Sequence, residues 1–288
     1  MGQGHSLRSL GPPKSGRPLP NSLQAKNMKI PFFQVDAFSS TVFGGNPAAI
    51  CILENWLDSD MLQKIAAENN LSETAFLVPV TSGSYELKWF TPTIEIDLCG
   101  HATLASAFVL FKYYEHGRTE LKFQTASGEL AVKKAKDLLS MNFPARPPVE
   151  SQPPEILAEA LGVEASYVME SRDLLAVFED EDIVQNMRPD FDKIRKIKNH
   201  FAVIVTAPGE RSDFVSRFFA PNAGVNEDPV TGSAHCTLIP YWAKRLNKNK
   251  LHAFQLSRRK GELFCEYAGD RVNIAGYSTL FAKGEIYL

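Results

Sequence analysis

Asp97-Leu98-Cys99-Gly100-His101-Ala102-Thr103-Leu104 and Asp228-Pro229-Val230-Thr231-Gly232-Ser233-Ala234-His235 share one build: an acidic residue, a short turn, a glycine and an apolar run. The likeness extends outward from both. Upstream stand Phe90-Thr91-Pro92 and Phe219-Ala220-Pro221. Downstream stand Phe123-Gln124 with Gly128-Glu129-Leu130, and Phe254-Gln255 with Gly261-Glu262-Leu263. From Gly100 to Phe123 is 23 positions, and from Gly232 to Phe254 is 22. A unit on the order of a hundred residues, present twice, predicts two similar domains, because solenoid repeats are shorter and more numerous.

The runs after the two glycines are apolar nearly all round: Ala102 to Phe111 in the first copy, and Ala234, Cys236, Leu238, Ile239, Tyr241, Trp242, Ala243 and Leu246 in the second. A helix without a polar face must be enclosed. The flanking segments read as strands: Ile30–Phe38, Ala48–Leu53, Thr74–Val78, Tyr85–Phe90, Leu121–Gln124, Glu129–Lys134 and Leu138–Phe143, then near 166–169, 174–178 and 201–206. Helices are expected from Asp58 or Ser59, over 102–115, 154–161, 190–198 and about 233–246, with a turn at Phe43-Gly44-Gly45-Asn46-Pro47. The class is α+β: two pseudo-symmetric domains, each a curved, mostly antiparallel sheet or barrel wrapped around a buried central helix. Five prolines between Pro144 and Pro154 mark the boundary. The N-terminal domain is placed at 28–143, completed by 277–288, and the C-terminal domain at 144–276. Glycine at each helix start lets backbone N–H groups approach a ligand, and the positive helix end favours an anion.

Composition narrows the function. A net charge of −2 over 288 residues gives no electrostatic footing for nucleic acid or a membrane surface. No apolar run approaches the length of a membrane-spanning helix. Cys51, Cys99, Cys236 and Cys265 lack disulfide-framework or zinc-finger spacing, which predicts a reduced, cytoplasmic protein with no metal. Residues 1–27 are rich in Gly, Pro and Ser and read as a disordered leader, although Gly2 with Ser6 also fits an N-myristoylation pattern.

Four blocks carry a family likeness: Gly45-Asn46-Pro47-Ala48, Asn70-Leu71-Ser72-Glu73-Thr74-Ala75-Phe76, Cys99-Gly100-His101-Ala102-Thr103 and Glu227-Asp228-Pro229-Val230-Thr231-Gly232-Ser233-Ala234. In register, they resemble the PhzF family of phenazine-biosynthesis-like proteins, and most of all its animal branch of MAWD-binding proteins. The resemblance implies the diaminopimelate epimerase-like fold, with the active site between two domains. It implies an isomerase that shuttles a proton without a cofactor, Glu73 being the catalytic acid/base and His101 and Asp228 assisting it. Asn46, Ser72, Gly100, Thr231, Gly232 and Ser233 are expected around a small anionic substrate. It also implies a homodimer and a WD-repeat protein partner.

Duller readings stand beside these. Glu73 alone could be a solvated strand-start residue. His101 could be a satisfied helix-start residue, Asp228 the approach to a helix, Ser233 a plain N-cap, and Asn46 a turn residue or a substrate contact. Cys99 lies where epimerase relatives carry one catalytic thiol, but the second copy has no cysteine at Thr231, which weighs against a thiol-pair racemase or epimerase. A non-catalytic interaction protein is the alternative from another class.

Overall fold

A computed structural model describes residues 28–288; the leader and lipidation expectations for residues 1–27 lie outside the described residues. The first half runs β1 (Lys29–Ala37), β2 (Asn46–Ile52), α1 (Ser59–Asn69), β3 (Glu73–Thr81), β4 (Ser84–Phe90), β5 (Glu95–Ile96), α2 (Gly100–Tyr113), β6 (Glu120–Thr125), β7 (Gly128–Ala135) and β8 (Leu138–Pro144). The second runs β9 (Val149–Glu150), α3 (Leu157–Leu161), β10 (Tyr167–Glu170), β11 (Leu174–Val177), α4 (Glu181–Asn186), α5 (Phe191–Ile194), β12 (Val203–Pro208) and β13 (Phe214–Phe219). It continues through α6 (Gly232–Leu246), β14 (Lys250–Gln255), β15 (Gly261–Ala268), β16 (Arg271–Gly276) and β17 (Ser278–Tyr287).

Strand pairing repeats between the halves. Around α2 the neighbours are β17, β1, β2, β3, β4, β6, β7 and β8, with β2–β3 and β4–β6 parallel and the rest antiparallel. Around α6 they are β9, β10, β11, β12, β13, β14, β15 and β16, with β11–β12 and β13–β14 the parallel pairs. After its last strand each half sends the chain across: β8 leads to β9 on the other half, and β16 leads to β17, which pairs along β1. An antiparallel β8–β16 seam joins the two.

Both central helices are enclosed, as their composition requires. In α2 the residues from His101 to Ala107 are all buried, and in α6 so are those from Ala234 to Ala243. Outer faces are covered as well: α1 packs Leu62, Ile65 and Ala66 on Phe76 and Phe90, while α3 to α5 cover the strands carrying Ala176, Val205 and Phe219. Strands buried on both faces read as continuous apolar runs such as Ala48–Ile52, which is how the sequence disclosed them.

One apparent flaw in α6 is answered by the fold. Pro240 has no N–H for the carbonyl of Cys236, an interior defect worth about 3 kcal/mol. The backbone N–H of Arg146, in the β8–β9 crossover, takes that carbonyl at 2.8 Å.

Three local expectations are corrected. Asn46 and Pro47 belong to β2 and not to a turn; Pro47 sits at the strand's start, where a missing N–H is tolerated. Helix 190–198 shrinks to α5, because Lys196 and Ile197 donate three residues back, which ends α-helical spacing. The helix expected from Pro154 begins at Leu157.

Candidate active site

Glu73 opens β3 and pairs in parallel with Ala48, two residues beyond Asn46. Cys99 is the N-cap of α2 and Thr231 that of α6, and neither side chain caps its helix. The first amide groups of both helices therefore lack the usual side-chain acceptors. The tips meet: a methyl added at Gly100 would lie 3.8 Å from the Gly232 Cα.

Glu73, His101 and Asp228 come together there. Glu73 Oε2 lies 2.9 Å from His101 Nε2, with the Glu73 side chain 16% exposed and that of His101 6%. The contact is close but poorly aligned, so neither atom gains a good hydrogen bond and both keep capacity for a third group. Asn46 links the other side of the cluster. Its Nδ2 is 3.1 Å from His101 Nδ1 and donates to Asp228 Oδ1 at 2.8 Å and to the Val230 carbonyl at 3.0 Å. Reversing the amide would set its oxygen against two acceptors, which fixes the orientation. Fully buried, Asn46 acts through His101 and Asp228 and bridges the two halves.

Electrostatics follow from this enclosure. Burial pushes the Asp228 carboxyl up to about 6; the His101 ring opposes the rise and Glu73 adds to it. Burial alone would lower the His101 imidazole, but the neighbouring Glu73 carboxylate favours the charged ring and raises it. The Cys99 thiol, 3.5 Å from His101 Nδ1, is pushed up by burial and then by Glu73, so it is a neutral thiol near pH 7.

The expected pocket residues fall in different places. Thr231 Oγ1 donates to Asp228 Oδ2 at 2.5 Å. Ser233 is the second residue of α6 and not its cap, and it accepts from Arg172 Nη2 at 3.1 Å, while Arg172 also clasps Asp173. Ser72 is half-buried beside Glu73. Gln255 was not singled out as a site residue, yet it is fully buried here. Its Oε1 accepts from the Thr231 N–H at 2.8 Å and its Nε2 donates to the Asp228 carbonyl at 2.8 Å, fixing the approach to α6. The signal was present in the recurrence of Phe123-Gln124 as Phe254-Gln255; nothing comparable pointed to Arg172.

Glu73, Cys99 and His101 also place a carboxylate, a thiol and an imidazole within 4.8 Å of one another, a donor set that spacing alone did not reveal. Cys99 and Glu73 address opposite nitrogens of the ring, so an ion bound to either nitrogen lies nearer one of the two than the other.

Among the described residues no helix is long and apolar enough to cross a membrane. The model of the phenazine biosynthesis-like PhzC-PhzF family matches residues 35–284. An uncharacterized isomerase of Pseudomonas aeruginosa is 50% identical over 261 residues, covering 91% of this chain and all of that protein. The human phenazine biosynthesis-like domain-containing protein is 41% identical over 90% of this chain and 99% of its own length. A crystal structure of a PhzF-family protein from Enterococcus faecalis superposes with a TM-score of 0.89 at 50% identity, covering 91% of this chain and all of that one. With the diaminopimelate epimerase-like architecture present in both halves and a match over most of its length, the chain belongs to the PhzF family of phenazine biosynthesis-like proteins, a family with members named as isomerases.

Proposed function

We propose that the chain is a cofactor-independent isomerase that moves a proton on a small acidic or amino-acid-like substrate, with Glu73 as general acid and base. One observation carries the reading: three ionisable side chains from separate segments converge, largely out of water, beside two helix tips whose amides lack side-chain caps. In a substrate with a carbon–carbon double bond next to the acidic carbon, Glu73 takes the proton, and the electron pair delocalises through that double bond to a second carbon and onto a neighbouring carboxylate, the double bond shifting by one position. Helix-terminal amides stabilise that charge. Glu73 then returns the proton to another carbon, so the substrate isomerises and no atom is gained or lost. His101 holds Glu73 in place and offers a second proton. Asp228, near 6, exchanges one at neutral pH.

Thr231 stands at the N-cap of α6 where Cys99 stands in α2, which supports a single-carboxylate reaction over a thiol-pair racemisation. Four free, buried cysteines support a cytoplasmic setting. The test starts from metabolites that co-purify with the chain, identified by mass spectrometry and offered back as substrates. Glu73→Gln should lower turnover by roughly 10²–10⁴-fold while melting temperature and circular dichroism stay unchanged. Turnover within twofold of the parent rejects the mechanism.

A further inference from the structure

The first turn of α6 is flanked by positive charge that proton transfer does not use. Arg172, in the turn between β10 and β11, is held as a rigid fork. Its Nε and Nη2 donate to the two carboxylate oxygens of Asp173 at 3.1 and 2.9 Å, and its guanidinium carbon lies 4.7 Å from the centre of the Phe201 ring. The same Nη2 reaches Ser233 Oγ at 3.1 Å, whereas Nη1 has no partner among the described residues. Asp173 is buried and the Arg172 side chain is 36% exposed, so the fork keeps an open side.

Arg146 approaches the same turn from the β8–β9 crossover. Its backbone N–H takes the Cys236 carbonyl, one turn beyond Gly232. Its Nη1 is buried without a hydrogen-bond partner, and such a donor calls for an acceptor from outside the chain. Burial raises the Asp173 carboxyl and the Cys236 thiol, and both arginines oppose each rise, so the two guanidiniums border one space. Asp173 offsets one of their charges. His200, the next cation, is matched by Glu170 at 2.9 Å, and Arg271 adds to the positive side. The excess is positive, and the N-terminal end of α6 reinforces it.

This space adjoins the candidate active site. Ser233 follows Gly232, whose Cα lies 3.8 Å from a methyl added at Gly100, the residue before His101. The Ser233 hydroxyl accepts from Arg172 and keeps its own proton to donate.

We propose that Arg146, Arg172 and Ser233 form a second carboxylate subsite, so that the substrate is a dicarboxylate with one carboxylate at the helix tips and the other on the guanidiniums. The inference rests on the proton-transfer reading of the site and narrows its substrate class. A guanidinium fork matches a carboxylate in shape, and arginine stays charged at any working pH.

Calorimetric titration of the full chain with glutarate, adipate and butyrate tests this. None of the three has a carbon–carbon double bond to move, so binding alone is read. The parent should bind glutarate or adipate about tenfold or more tightly than butyrate. Arg146→Met and Arg172→Met should each remove that preference and leave butyrate affinity within about threefold of the parent's. Because Arg172→Met strands the Asp173 charge, Arg172→Met/Asp173→Asn is its folded companion and should behave alike. A parent that binds neither diacid more tightly than butyrate overturns the proposal. So does a preference that survives in Arg146→Met or in the double variant. Turnover that persists in Glu73→Gln, with the preference still lost in the arginine variants, would reject the proton-transfer mechanism and leave the diacid subsite standing.

Discussion

His235 and Asp228 are buried groups with opposite responses to acid. His235 donates from Nδ1 to the Thr231 carbonyl at 2.8 Å, its Nε2 has no partner, and burial lowers its pKa to about 4. Unfolding frees it to bind a proton below about 6.5, so it costs stability as pH falls from 6.5 to 4, up to about 3 kcal/mol. Asp228 is raised from 3.8 to about 6, so the folded state binds a proton first and gains stability over nearly the same range, by a similar amount. The two should largely cancel. Denaturant titrations from pH 4 to 7 should therefore show a shallow slope for the parent. His235→Leu should make stability rise on acidification, and Asp228→Asn should make it fall more steeply. Identical slopes in all three proteins would contradict the burial argument. Glu73, His101 and Asp228 were legible as sequence because each sits in a distinctive short block. The isolation of His235 was not, since nothing local distinguishes a histidine inside a core from one at its edge.

At the scale of elements, two glycines near the site answer to different constraints. Gly45 has φ +62°, and a Cβ there would fall 2.1 Å from the Ala37 carbonyl oxygen. Gly45→Ala should therefore cost at least about 2 kcal/mol, seen as a lowered melting midpoint, and should disturb Asn46 next to it. Gly100 has ordinary room, its nearest neighbours being 3.8 Å or more from an added methyl. Gly100→Ala should leave stability within about 1 kcal/mol but obstruct the helix tip, lowering turnover at least tenfold. Equal effects on stability in the two variants would contradict these placements. The central helices could be read from their all-round apolar character. Helix α4, capped by Asp180, could not, because six residues carry too little periodicity to stand out.

Across the whole molecule, one hydrophobic cluster runs through both halves, from Phe33 and Leu104 to Trp242 and Ile274. The halves are also clamped beside the site. Arg259, from the loop between β14 and β15, donates to Asp36 Oδ1 at 2.7 Å and to the carbonyls of Gly44 and Gly45 at 2.9 Å each. Asp36 is almost fully buried, so Arg259→Ala strands its charge and should cost about 3–5 kcal/mol. Calorimetry should show one cooperative transition in the parent, at a clearly lower temperature in the variant; two separate transitions in the parent would contradict a shared core. The duplication was legible because its motifs recur at matching spacing. The parallel pairing of β2 with β3 and of β4 with β6 has no local signature, since it depends on where the chain goes between those strands.

The most direct test of Glu73 as the proton carrier is deuterium uptake from heavy water into an extract of small acidic metabolites. With the parent, at least one compound should gain a single carbon-bound deuterium at a rate proportional to protein concentration, and Glu73→Gln should abolish that gain. Uptake that persists undiminished in Glu73→Gln, or no uptake by the folded parent into any compound it binds, contradicts the account.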